Sequence, residues 1–173
     1  MNGLKKEIII CFPRNERGIA IPLNIDVDGT VIRHGYDFDE KEFVVNGNAP
    51  AILKRWVKEY NCAINIYTTR DGFKKEEAIR LFNNLDIPFD SFGGNPQQLR
   101  WTTSRKQYGF VIDDMSAVKV EYDINGRPYV DWDSIVEVFE PRLKHMKSLI
   151  DDITEEDIET IITELSYANQ GVE

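Results

Sequence analysis

A chain of 173 residues, 42% hydrophobic and 29% charged, has the composition of an ordinary globular domain, with enough length for one good core and too little for an elaborate two-domain enzyme. The net charge of -9 speaks against a broad nonspecific nucleic-acid binder, but it is local: Asp151, Asp152, Glu155, Glu156, Asp157, Glu159, Glu164 and Glu173 stand in a tail without Lys or Arg, so the rest is near neutral. No apolar run approaches the roughly 18 residues of a membrane span, and too few apolar positions follow the N-terminus for a signal-peptide core, so no membrane partner and a cytoplasmic location are expected.

In chain order, Glu7-Ile8-Ile9-Ile10-Cys11-Phe12 is apolar and β-branched and predicts a strand. Asn15-Glu16-Arg17-Gly18 predicts a turn, and with residues 19–25 behind it the pair predicts a hairpin that puts 7–12 at a sheet edge. Cys11 and Cys62 have no Cys-x-x-Cys spacing and no nearby His, which predicts buried, reduced strand cysteines.

Ile21-Pro22-Leu23-Asn24-Ile25-Asp26-Val27-Asp28-Gly29-Thr30 is an apolar run that stops in two carboxylates, a glycine and a threonine. Alternation along a strand puts Asp26 and Asp28 on one side, about 6 to 7 Å apart, close enough to serve one reacting centre. Acids clustered where a strand stops call for a cation or hydrogen-bond donors, and Mg²⁺, which takes one or two carboxylates plus water and phosphate oxygens, is the natural one. A carboxylate facing a phosphoryl group can also be a nucleophile.

Residues 31–34 alternate in character, and a polar, acidic, Gly-containing stretch that includes Tyr36 follows His34 as far as residue 48. Residues 49–60 fit a helix with Ile52, Leu53, Trp56, Val57 and Tyr60 on one face. Ala63-Ile64-Asn65-Ile66-Tyr67 predicts a buried strand running into Thr68-Thr69-Arg70, and residues 74–85 a second helix with Ala78, Ile79, Leu81, Phe82 and Leu85 inward. A loop at Gly93-Gly94-Asn95-Pro96 leads across to a strand at Phe110-Val111-Ile112 that ends in Asp113-Asp114. Strand, helix, strand, helix, strand at this spacing predicts a parallel sheet with helices on both faces, and ligands in such sheets bind beyond the strand C-terminal ends. That rule puts Asp26, Asp28, Thr68, Asp113 and Asp114 on one rim.

Further on, residues 118–122 predict a strand, Asn125-Gly126 a turn, and residues 133–146 a helix with Pro141 inside it as a break or kink. Thr154-Glu155-Glu156-Asp157 predicts a capping box opening a last helix, with Ile158, Ile161, Ile162 and Leu165 as its stripe. Such dense acids require a buried stripe and facing cations, for which Lys54, Arg55 and Lys58 or Lys74, Lys75 and Arg80 are the candidates, in cis or on a second copy.

The motifs in this order resemble those of the haloacid dehalogenase superfamily of phosphotransferases: the D-x-D-G-T string, a Thr after the next strand (Thr68), a Lys (Lys106) shortly before an apolar strand, and the paired acids Asp113 and Asp114. Within it, Asn95-Pro96, Trp101-Thr102-Thr103-Ser104, Lys106, Tyr108, Ile112-Asp113-Asp114 and Arg127-Pro128-Tyr129-Val130-Asp131-Trp132 look like a group of uncharacterised phage and bacterial proteins. The resemblance implies a Rossmann-like three-layer α/β/α fold with a mainly parallel sheet and a minimal cap or none. It implies a catalytic domain over 1–150, with 151–173 as an acidic helix packed on the domain or on a partner.

It further implies a Mg²⁺-dependent phosphohydrolase that cleaves a phosphate monoester through an aspartyl-phosphate. Asp26 would be the nucleophile, Asp28 the acid and base, and Thr68 and Lys106 the phosphoryl donors. Gly29, Thr30, Thr69, Arg70 and His34 would line the substrate, and Asp26, Asp28 through its backbone carbonyl, and Asp113 with or without Asp114 would hold the metal. The expected partner is a phosphorylated small molecule or nucleotide. Two alternatives stand beside it: a polynucleotide-end phosphatase, for which the only basic residues at hand are Arg100, Arg105, Lys74 and Lys75, and a non-catalytic binding protein that recruits a partner or a second copy as a homodimer through the acidic helix.

Overall fold

The computed structural model describes residues 3–34, 43–70, 72–92, 109–115 and 119–170. Among these, chain order runs helix α1 (Gly3–Cys11), strands β1 (Arg14–Asn15), β2 (Gly18–Ile19) and β3 (Ile21–Ile25), helix α2 (Ala49–Tyr60), strand β4 (Cys62–Ile66) and helix α3 (Gly72–Asn84). Strands β5 (Ser91–Phe92), β6 (Phe110–Ile112), β7 (Val120–Tyr122) and β8 (Pro128–Val130) follow, then helices α4 (Trp132–Asp151) and α5 (Glu155–Gln170). The architecture is mixed α/β, built on a four-stranded parallel sheet in the order β5-β4-β3-β6.

β3 and β4 are buried along their whole length, as central parallel strands must be, and their near-continuous apolar runs are the cause. Pro22 is tolerated in β3 because its missing N–H falls at a harmless place. The Ile21 N–H bonds Asn61 on the β4 side and the Asp26 N–H bonds Ile112 on the β6 side, so by alternation residue 22 addresses β6, which begins only opposite Leu23. Gly109 fills that gap: its backbone comes so close that a Cβ would lie 2.3 Å from the Pro22 carbonyl oxygen.

One sheet face carries Leu23, Ile25, Ile64, Ile66, Phe110 and Ile112 in register. α2 and α4 cover it, with Trp56 stacked on Phe139 at 6.4 Å between centroids and Phe110 tilted against Phe139 at 5.5 Å. The other face bears a polar ladder. Ser91 Oγ donates to Asn65 Oδ1 (2.8 Å) and Asn65 Nδ2 to Asn24 Oδ1 (2.9 Å), three residues paired side by side across β5, β4 and β3.

Four sequence expectations need correction. The Ile8-Ile9-Ile10 run is helical, not a strand: Ile8, Ile9 and Cys11 are buried on a helix packed against α4 and α5, so tertiary packing overrides β propensity. The hairpin at residues 14–19 therefore joins β1 to β2 only, and 7–12 is no sheet edge. Pro141 does not break α4, because it lies on the exposed side, where the carbonyl of exposed Glu137 that it leaves unbonded can be hydrated. The cations facing the acidic helix are on α1: Lys6 pairs with Glu164 at 2.7 Å and Lys5 with Asp157 at 3.8 Å, whereas Arg55 pairs with Glu140.

The capping box forms, with the Thr154 N–H on Asp157 Oδ2 (3.0 Å) and the Asp157 N–H on Thr154 Oγ1 (3.1 Å). Cys11 and Cys62 are both buried, and burial pushes the Cys62 thiol up to about 12, which makes it chemically inert. Among the described residues no helix is long and apolar enough to cross a membrane.

Candidate active site

β3 ends at Ile25, and the chain then coils tightly: the N–H groups of Thr30, Val31 and Ile32 converge on the Val27 carbonyl at 3.4, 2.9 and 3.1 Å. Gly29 makes this possible with φ +72, and its missing side chain is equally needed. A Cβ there would lie 2.5 Å from Asp114 Oδ2 and 2.6 Å from His34 Nε2. The turn is held from behind. Asn46 Nδ2 donates to the carbonyls of Thr30 (3.0 Å) and Val130 (2.9 Å), Trp132 Nε1 donates to Thr30 O (2.8 Å), and the Val130 N–H to Gly29 O (2.8 Å).

Asp113 and Asp114 follow β6, and because Ile25 pairs with Ile112, Asp113 stands level with Asp26 across the gap between β3 and β6. Strand order reverses at this gap: β4 and β5 lie to one side of β3 and β6 to the other, the place where open α/β sheets bind ligands. Asp113 Oδ1 accepts from the Met115 N–H (2.7 Å). Asp114 is buried, with Oδ2 2.6 Å from His34 Nε2. Asp28 is gripped by both arms of Arg70, Nε to Oδ2 at 2.6 Å and Nη2 to Oδ1 at 2.5 Å. Thr68 is half-buried and its Oγ1 accepts from the Arg70 N–H (3.3 Å), whereas Thr69 is exposed.

Burial pushes the Asp26 carboxyl up to about 7, and the negative charges of Asp113, Asp28 and Asp114 push it the same way. A carboxyl raised to about 7 is not fully ionised at neutral pH without a countercharge. The residues fit a hard cation by their chemistry, all carboxylate oxygens, and by this mutual repulsion, which a divalent ion would relieve. Among the described residues, no group of three or more His, Cys, Asp or Glu side chains is already arranged to hold an ion.

The structure thus brings together Asp26, Asp28, Gly29, Asp113 and Asp114, and adds His34 and Arg70 to them through Asp114 and Asp28, whereas the Thr30 side chain, expected to line the substrate, is fully buried. Lys106, Tyr36 and residues 93–105 lie outside the described residues. Sequence reasoning missed Asn46, whose place in a polar flap reads as a turn, and the support from Trp132, quoted only as part of a motif. Arg70, expected against the substrate, forks onto Asp28 within the site.

No family model matches the chain, and no curated protein matches it. A solved structure of a conserved protein coded by a locus from Bacteroides thetaiotaomicron is similar, at a TM-score of 0.52 and 22% identity over 71% of this chain and 92% of that one. At this identity the likeness speaks to the fold alone: this chain shares its α/β architecture with that protein.

Proposed function

We propose that the chain is a Mg²⁺-dependent phosphohydrolase of the haloacid dehalogenase type, cleaving phosphate monoesters through an aspartyl-phosphate. The observation that carries this reading is the convergence of Asp26, Asp28, Asp113 and Asp114 at the point where strand order reverses, where burial first and the neighbouring acids second push Asp26 up to about 7. The strand order β5-β4-β3-β6, with an acid or a threonine just past β3, β4 and β6, supports it.

In the first step an oxygen of Asp26 attacks phosphorus, the bond to the ester oxygen breaks, and Asp28 gives that oxygen its proton. Water then attacks the phosphorus of the acyl-phosphate, Asp28 takes the water's proton, and inorganic phosphate leaves with Asp26 restored. Arg70 holds both oxygens of Asp28, so it must release one when Asp28 carries a proton, and the incoming phosphoryl oxygens compete for the same guanidinium. Thr68, beside Arg70, donates its hydroxyl to the phosphoryl group. Asp26, Asp28, Asp113 and Asp114 are the residues that would hold Mg²⁺, which neutralises charge gathering on the transferred group.

The exposed rings of Tyr67, just past β4 and level with Asp26, and of Phe73 at the start of α3 favour a nucleotide or nucleic-acid end over an aliphatic ester among these substrates. The test is turnover of a panel of nucleoside monophosphates, short oligonucleotide phosphates and sugar phosphates with and without Mg²⁺. Asp26→Asn is expected to abolish it with the fold intact; undiminished turnover in that variant removes Asp26 from the nucleophile role.

A further inference from the structure

His34 has no place in the chemistry above, yet it is held with unusual care. The backbone just before it is pinned by an antiparallel bridge between Ile32 and Val45, with the Arg33 N–H on Val44 O at 2.8 Å and the Asn46 N–H on Val31 O at 2.8 Å. The Arg33 guanidinium lies over the Tyr129 ring at 3.1 Å, tying the same segment to β8. These constraints deliver the imidazole to one carboxylate oxygen, Asp114 Oδ2 at 2.6 Å, against the bare Cα of Gly29.

We propose that His34 is a positioning residue for a cation ligand: it commits one oxygen of Asp114 and leaves the other as the oxygen available to a divalent ion. This rests on the phosphohydrolase reading. The reason is geometric. A carboxylate that can rotate offers a cation two oxygens in many poses, whereas one fixed by a hydrogen bond from a braced imidazole offers a single oxygen in a single pose, and losing such support typically costs 10–100-fold in metal affinity.

The probe is Mn²⁺ binding to the full chain, followed by the loss of the free-ion electron paramagnetic resonance signal, with melting temperature in EDTA as the control for folding. His34→Ala is expected to weaken Mn²⁺ tenfold or more, and His34→Gln, which sets an amide N–H near the place of Nε2, to stay within about threefold of the parent. Asp114→Asn should weaken binding by itself, and adding His34→Ala to it should cost little more, because the two act as a unit. Unchanged Mn²⁺ affinity in His34→Ala, or losses that add in full, overturns the proposal while leaving the phosphohydrolase reading intact. A parent protein that binds no Mn²⁺ overturns both. Should the alanine variant not fold, the glutamine variant decides: a loss as large as that of Asp114→Asn overturns the proposal, and retention supports it.

Discussion

At the scale of single residues, the acidic cluster sets the pH behaviour. Asp26 is raised from the ordinary carboxylate range to about 7, so between about pH 4 and pH 7 the folded metal-free protein binds its proton more tightly than the unfolded chain does. Stability from this group is therefore full at low pH and falls as pH rises through that window. Asp26→Asn removes the penalty, and in EDTA at pH 8 it should stabilise the fold by roughly 2–4 kcal/mol, a gain that shrinks towards zero near pH 4; denaturant melts at both pH values measure it, and a variant no more stable than its parent at pH 8 contradicts the shift. For Arg70, replacement by Lys keeps the charge but loses the two-armed grip on Asp28. On the phosphohydrolase reading kcat should drop by about 10–100-fold with melting temperature nearly unchanged, and a kcat equal to the parent's would take Arg70 out of the proton step. Asp26, Asp28, Asp113 and Asp114 were legible in the sequence because a carboxylate just past an apolar strand is costly enough to need a reason. Asn46 was not, since its worth lies in reaching Thr30 and Val130 carbonyls that are distant in sequence.

At the scale of elements, α5 shows which force docks the acidic tail. Its ion pairs to Lys5 and Lys6 are open to solvent in part or in large part and contribute little. Ile161 is 1% exposed, with Ile158 and Leu165 half-buried against the same core, so Ile161→Ala should cost about 2–4 kcal/mol in a chemical melt, while Lys6→Ala costs about 0.5 or less. If the lysine variant proves the more damaging of the two, charge rather than burial holds the helix. Deleting residues 154–173 should lower the melting temperature or change the mass by light scattering while the folded remainder keeps its turnover; loss of activity at unchanged mass in a folded protein would place the tail within the site. The last helix and its capping box could be read from sequence because both are local signals, a stripe at helical spacing and a Thr three residues before an Asp. α1 could not. An unbroken apolar run fits a buried strand and a buried helix equally, and only α4 and α5, which arrive more than a hundred residues later, supply the surface that decides.

At the scale of the whole molecule, the sheet has a consequence in time. Leu23 pairs with Ile64 on one side and with Phe110 on the other, so β3 and β4 can meet after a short loop closes, while β6 must return across both later strands. Closing the longer loop costs little more free energy, about 0.6 kcal/mol per doubling of length, but it comes later, since β6 contributes only three residues and cannot nucleate by itself. Asp113 and Asp114 directly follow β6, so the four acids are expected to meet late in folding, with their repulsion absent from the rate-limiting step. On the phosphohydrolase reading, a divalent cation would then have nothing to bind until the chain is nearly home. In stopped-flow experiments Mn²⁺ should leave the refolding rate unchanged and slow unfolding by the whole of the stability it adds, acting as a lock on the finished fold rather than a guide towards it; acceleration of refolding in proportion to Mn²⁺ would mean that the acids assemble early.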